Sequence, residues 1–221
     1  MSPLPAAELL EAVLSRPLPG LAAQLRMAPR PRMGWDPAKF PDGLRDAAAL
    51  LLVYPIAGAP HLALTVRAPD LRQHMGQVSL PGGRVDHDES IEAAALREAS
   101  EEIGVDPSSV RVIGRLTPLH IPVSGFLLHP VVAASADRPQ FRRAEREVAR
   151  IIEAPLSRLS DPTMVREERW ERERDGAPTP VDVPFFAIDG EKVWGATAMV
   201  LAEFLEIWRS LDTVADRSAH E

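Results

Sequence analysis

Residues 47–54 form an almost unbroken apolar run, Ala-Ala-Ala-Leu-Leu-Leu-Val-Tyr, with charged residues ahead of it. A run this short, closed by Gly58-Ala59-Pro60, predicts a strand buried on both faces followed by a turn. Residues 61–67 then alternate as a second strand, and strand patterns return at 110–119 and 126–134. Weaker ones lie at 148–154, 164–170 and 181–188, the last followed by an Asp189-Gly190 turn signal. Helical spacing appears at 6–14 through Leu9, Leu10, Val13 and Leu14, and again at 88–103, just before Gly104. It appears a third time at 197–211, where Val200, Leu201, Phe204, Leu205 and Trp208 share one side. Pro17, Pro19, Pro29, Pro31, Pro37 and Pro41 predict an extended wrap without regular structure over 16–42. Pro81-Gly82-Gly83 predicts the end of a loop leading into the second helix. Strands interleaved with a few helices predict an α/β sandwich around a mixed sheet. Residues 1–45 read as a helix and proline-rich arm packed on the domain, 46–211 as the domain itself and 212–221 as a tail.

Bulk composition narrows the function. A chain of 221 residues can bury a substantial core as one domain with extensions. Its net charge of −7 argues against a general affinity for nucleic acid or anionic membranes. The absence of cysteine excludes disulfides, thiolate nucleophiles and zinc–thiolate sites. No stretch approaches the ~20 apolar residues of a membrane span. The expectation is a cytoplasmic protein that engages neither nucleic acid nor membrane. The sequence leaves the oligomeric state open, a homodimer being one allowed arrangement.

The second helix carries the chemistry. Glu98, Glu101 and Glu102 stand at i, i+3 and i+4, so their side chains are neighbours on one face. They occupy the last two turns, the negative end of the helix dipole, where added anions are unfavourable. Arg97 reaches Glu101 at i+4, but one base cannot neutralise three acids. A hard divalent cation such as Mg²⁺, which takes carboxylate oxygens and water, is the simplest source of the missing positive charge. Two arginine-rich stretches, 142–150 and 166–174, interleave acids with bases, and the second reads as a self-neutralising solvated face.

Gly83, Glu89, Arg97, Glu98, Glu101, Glu102, Gly104 and Val105 together resemble the Nudix box, each at the spacing that motif requires. Ala99 departs from it, being small where a bulkier aliphatic is usual, which bears on how the helix seats. Upstream, Ala63-Leu64-Thr65-Val66-Arg67-Ala68, Arg72, Gly76 and Leu80-Pro81-Gly82-Gly83 are similar to the motif of coenzyme A pyrophosphatases within that superfamily. Ala63 and Leu80 differ from the usual Leu and Phe there. Ser124-Gly125-Phe126 with Pro130, Pro155-Leu156 and the run Trp194-Gly195-Ala196-Thr197-Ala198 extend the likeness over about 46–206.

The resemblance implies a Nudix-type α/β/α sandwich, its mixed sheet flanked by helices, and Mg²⁺- or Mn²⁺-dependent hydrolysis of a diphosphate. By the same resemblance Glu98 and Glu102 are the direct ligands, Glu101 serves a second ion or a water, and the Gly83 carbonyl adds an oxygen. Arg97 orients the carboxylates and Glu89 braces the loop. The general base is Glu98 or, from a distant segment, Glu147, which could instead only pair with Arg143 or Arg150. Arg67 and Arg72 are the expected phosphate clamps, since guanidinium binds phosphate oxygens bidentately. Gly76 and Gly82 complete the substrate-binding set, and His74 is a further phosphate or adenine contact. Trp194 and Phe126 read as core residues before base platforms. Coenzyme A would give 4′-phosphopantetheine and 3′,5′-ADP. ADP-ribose, dinucleotides or nucleoside triphosphates are the alternative substrates, and a nucleotide-binding module without catalysis is the alternative class.

Overall fold

The computed structural model describes residues 3–32, 35–36, 39–69, 76–174 and 177–218. The apolar run becomes β1 (Arg45–Ile56), the centre of an eight-stranded mixed sheet. Its alternate residues serve two cores. Ala48, Leu50, Leu52 and Tyr54 face one side, and Ala49, Leu51 and Val53 face the other. Burial on both faces is why the run shows no polar alternation. β2 (Ala59–Arg67) folds back antiparallel on the second half of β1, pairing Val53 with Leu62. β3 (Val78–Ser79) pairs with β2 at Thr65 and Val66, and β4 (Gly82–Arg84) pairs with the first half of β1. The loop expected to end at Gly83 therefore ends in a short strand. Two glycines have little strand preference of their own, and the pairing comes from β1.

α3 (Ile91–Ile103), numbered after two helices near the N-terminus, covers one face of the sheet. It begins three residues later than the periodicity predicts because Ser90 accepts a hydrogen bond from the Ala93 N–H while Asp88 adopts φ +66°. Gly104 closes it with φ +72°. Ala94, Ala95 and Ala99 are fully buried against the β1 core, so the small residue at 99 belongs to a run of alanines that seats α3 close to the sheet.

β5 (Arg111–Arg115), β6 (Leu119–Ile121) and β7 (Phe126–Ala134) complete that side, with β7 parallel to β1 from Arg45/Phe126 to Val53/Ala134. The segment predicted as one strand at 110–119 is thus two pieces with a break between them. β8 (Val148–Pro155) pairs along the free edge of β2, and α4 (Leu156–Leu159) follows. A second, three-stranded sheet comprises β9 (Val165–Arg174), β10 (Ala177–Ile188) and β11 (Glu191–Trp194), longer than the pattern predicts and with β11 unforeseen.

The opposite face of the main sheet is covered by α5 (Gly195–Ser218), which runs past the predicted 211, and by α1 (Pro3–Leu14). Residues 16–42 are not wholly extended. α2 (Gly20–Gln24) and a 3-10 turn at Leu25–Met27 interrupt them, in the proline-free stretch between Pro19 and Pro29. Glu203 of α5 fixes α2. Fully buried, it accepts hydrogen bonds from the Gly20 N–H (3.2 Å), Gln24 Nε2 (2.8 Å), Thr117 N–H (3.3 Å) and Thr117 Oγ1 (2.7 Å). The architecture is α/β/α around a mixed sheet, as expected.

Candidate active site

β4 lies close against β1 and α3, and its two glycines meet different neighbours. A Cβ on Gly82 would collide with the Ala48 carbonyl oxygen and stand 2.7 Å from the Ala49 Cα, both backbone. A Cβ on Gly83 would instead lie within 2.7 Å of all three carboxylate atoms of Glu98. The space left at Gly83 therefore belongs to the Glu98 carboxylate. The same loop holds the second acid, since the Gly82 N–H donates to Glu102 Oε2 at 3.2 Å. The role found for Gly82 is thus to hold an acid and seat β4.

Arg97 is the organiser. Its Nε and Nη2 donate to the two oxygens of Glu89, each at 3.0 Å, its Nη1 donates to Glu98 Oε1 at 2.9 Å and Glu101 Oε2 at 3.3 Å, and Nη2 also reaches the Arg84 carbonyl. This fork holds Glu89 below the usual carboxylate range, and Arg97 itself titrates above its ordinary value, chiefly through Glu89. More positive charge is present than the helix alone offers, because Arg67 at the end of β2 acts on Glu102.

Glu102 is 6% exposed, and burial pushes its carboxyl up to about 7. The Gly82 N–H and Arg67 oppose that rise; the charges of Glu98 and Glu147 add to it. Glu147, itself exposed, therefore stands at the site. Its two expected partners are engaged elsewhere, Arg143 with Glu145 and Arg150 with Glu191. Glu101 differs from the other helix acids, with 59% of its side chain exposed against 17% for Glu98. Among the described residues no three acid or histidine side chains gather closely enough to enclose an ion. The fit to a hard cation rests on the Glu98/Glu102 pair, two mutually repelling carboxylates beside a backbone with no side chain in the way.

A pH dependence follows for the metal-free protein. Glu102 holds its proton to about pH 7 when folded, against 4.5 as its ordinary value. The folded state therefore binds more protons across that window, and stability falls as pH rises through it and levels off above. The full span is worth about 3 kcal/mol at most. Melting in chelator from pH 5 to 8 is expected to show this decline, and Glu102→Gln is expected to flatten it.

Gly76 adopts φ +66° in the turn before β3. Arg67 is half-buried, and among the described residues its Nε finds no hydrogen-bond partner. Arg72 and His74 lie outside the described residues. Trp194 packs edge-on against Trp170, centroids 4.7 Å apart, and Phe126 lies beneath the Arg45 guanidinium. The arginine-rich stretch of β9 is neutralised from outside itself, Glu167 by Arg30, Glu168 by Lys192 and Arg169 by Asp182.

Residues 43–173 match the NUDIX domain. The chain belongs to the Nudix family. Two Nudix relatives described as "uncharacterized Nudix hydrolase NudL" are 38% identical to it. One, from Pectobacterium atrosepticum, aligns over 166 residues, 75% of this chain and 84% of its own. The other, from Enterobacter sp. strain 638, aligns over 178 residues, 79% and 86%. A third of the same description, from Citrobacter koseri, is 46% identical over 114 residues, which span 51% of this chain and 59% of that protein. Among solved structures, a Nudix hydrolase from M. smegmatis, RenU, aligns with a TM-score of 0.46 at 22% identity, covering 78% of this chain and 86% of its own. Among the described residues no helix is long and apolar enough to cross a membrane.

Proposed function

We propose that this Nudix protein hydrolyses the diphosphate linkage of coenzyme A or its derivatives, giving 4′-phosphopantetheine and 3′,5′-ADP. Glu98 and Glu102 would hold Mg²⁺ or Mn²⁺ with the Gly83 carbonyl, and Glu101 would add an outer carboxylate. Such an ion, when bound, offsets diphosphate charge and acidifies a water for attack on phosphorus.

The observation that carries the substrate reading is Arg67. Its guanidinium acts on Glu102, and its buried Nε has no hydrogen-bond partner among the described residues. A phosphate oxygen supplies the missing acceptor. Arg67 then neutralises one phosphate while Arg97, occupied by three carboxylates, keeps Glu98 in place. Arg97 takes Glu98 Oε1 and leaves Oε2 without a hydrogen bond among the described residues, so Glu98 is the base that accepts the proton of the attacking water. Arg72 is assigned the second anion of a ligand that carries a diphosphate and a further phosphate. Gly76 keeps the turn beside Arg67 open.

Product analysis with coenzyme A, ADP-ribose, a dinucleotide and a nucleoside triphosphate, side by side in Mg²⁺, tests the reading. Coenzyme A is expected to be cleaved fastest and dephospho-coenzyme A more slowly, having lost one anion. Equal rates for those two would remove the clamp assignment. Preference for ADP-ribose would move the substrate without moving the site. Arg67→Ala is expected to lower kcat/KM about ten- to hundred-fold, the 1.5–3 kcal/mol of a charge-assisted hydrogen bond.

A further inference from the structure

Two of the four tryptophans lie outside both cores. Trp35 and Trp208 pack against the core beside α5, whereas Trp170 of β9 and Trp194 of β11 do not, so the expectation of a core Trp194 fails. Strand pairing says where the two lie instead. Phe186, Ile188 and Val193 turn one face of the second sheet to that core. The alternate residues Val181, Val183 and Phe185 turn the other way, and Trp170 and Trp194, paired with Val181 and Phe185, share their face. Those three residues are buried while both tryptophans are half-exposed, so the indoles form the outer layer over an apolar floor.

The same alternation sorts charge. Arg166, Glu168 and Arg172 of β9 and Lys192 of β11 share the tryptophan face, three bases to one acid in a chain of net charge −7. Lys192 answers Glu168. Arg172 holds its guanidinium 5.4 and 5.3 Å from the ring centroids of Trp170 and Trp194, and among the described residues no acid meets it. Rings lend a guanidinium some stability but leave its N–H groups in want of an acceptor. Two indoles beside such a guanidinium match a ligand that is aromatic at one point and anionic at the next.

This face stands near the candidate active site. β11 lies against β3, with Cα atoms within 8 Å, and the Thr197 hydroxyl, three residues after Trp194, donates to the Val78 carbonyl at 3.2 Å. Val78 pairs with Val66, one residue before Arg67, and the Arg67 N–H donates to the Gln77 carbonyl at 3.0 Å. β3 thus stands between β11 and the Arg67 end of β2. Resting on the coenzyme A reading above, we propose that Trp170, Trp194 and Arg172 form the subsite for the 3′-phosphoadenosine end of the substrate. The adenine lies against the indoles and the 3′-phosphate takes Arg172, a guanidinium beside the one assigned to Arg72.

Calorimetric titration with 3′,5′-ADP in chelator tests the subsite without catalysis. The unmodified protein is expected to bind it saturably, and more tightly than 5′-AMP or inorganic phosphate. Arg172→Gln, at an exposed position, is expected to weaken that binding about ten-fold and to change 5′-AMP binding little. Trp170→Leu is expected to weaken both nucleotides about ten-fold, with a thermal melt to check the fold. In turnover, Arg172→Gln should raise KM for coenzyme A about ten-fold, keep kcat and leave dephospho-coenzyme A unaffected. If coenzyme A is cleaved and both variants match the unmodified protein, the subsite is overturned and the hydrolysis reading stands. If 3′,5′-ADP binding depends on these residues but coenzyme A is not cleaved, the subsite stands and the hydrolysis reading falls. Binding of 3′,5′-ADP no tighter than that of inorganic phosphate would also overturn the subsite. So would variants that alter the sedimentation of the protein in place of its affinity, since the face would then belong to a second copy.

Discussion

Replacing Glu98 with glutamine is expected to lower turnover by about two to four orders of magnitude, the range set by loss of a general base. The unfolding midpoint should move by no more than about two degrees, because glutamine keeps the shape and its amide oxygen still accepts from Arg97. Initial rates on the preferred diphosphate, with a thermal melt of the same sample, separate the two effects. Gly83→Ala is the matching probe. Its new methyl group would displace the Glu98 carboxylate, the far end of a flexible side chain, so activity should fall while the fold survives. Gly82→Ala, one residue earlier, meets backbone and should fold poorly. A Glu98→Gln variant with near wild-type turnover would remove Glu98 from the proton transfer. Glu147, the exposed carboxylate that Glu102 also feels, would then be the base to test.

The largest expected loss of stability belongs to Glu203→Ala, a residue that none of the quoted motifs includes. Four donors converge on this buried carboxylate, two from Gly20 and Gln24 of α2 and two from Thr117. Truncation leaves those donors facing a void with no acceptor. The cost is about 3–5 kcal/mol, the range for breaking a buried polar network by removing one partner. For a domain stable by about 5–15 kcal/mol, that is a large fraction of the whole. Denaturant melts measure it directly, and a loss under about 1 kcal/mol would mean the network contributes little. Glu203 belongs to α5, across the sheet from α3, so turnover per folded molecule should be unchanged.

The contrast between Glu98 and Glu203 shows what the sequence could and could not carry. Glu98, Glu101, Glu102 and Arg97 were legible because one helix places them, and helical spacing is local. The strand at 47–54 was legible for the same reason, its burial written as an unbroken apolar run. Glu203 gave no signal: an acid in an apolar helix looks like a surface residue until Gln24, 179 positions away, is brought against it. α2 escaped notice because prolines on both sides suggested an extended wrap without regular structure, whereas a tertiary clamp holds a helical turn there. β4 escaped because two glycines look like a loop until β1 pairs with them. Ala99 looked like a loosened seat and is instead part of a close alanine contact. Arg97 and Arg67 together offset more of the acid charge than a one-dimensional count allows, since Arg67 comes from another strand.

The most direct test of the central claim is chromatographic product analysis of coenzyme A incubated with the protein, with and without Mg²⁺. The account predicts 4′-phosphopantetheine and 3′,5′-ADP in equal amounts with the ion, none in chelator, and almost none from Glu98→Gln. Ion-independent cleavage, or no cleavage of coenzyme A or any other diphosphate in millimolar Mg²⁺ or Mn²⁺, would contradict it.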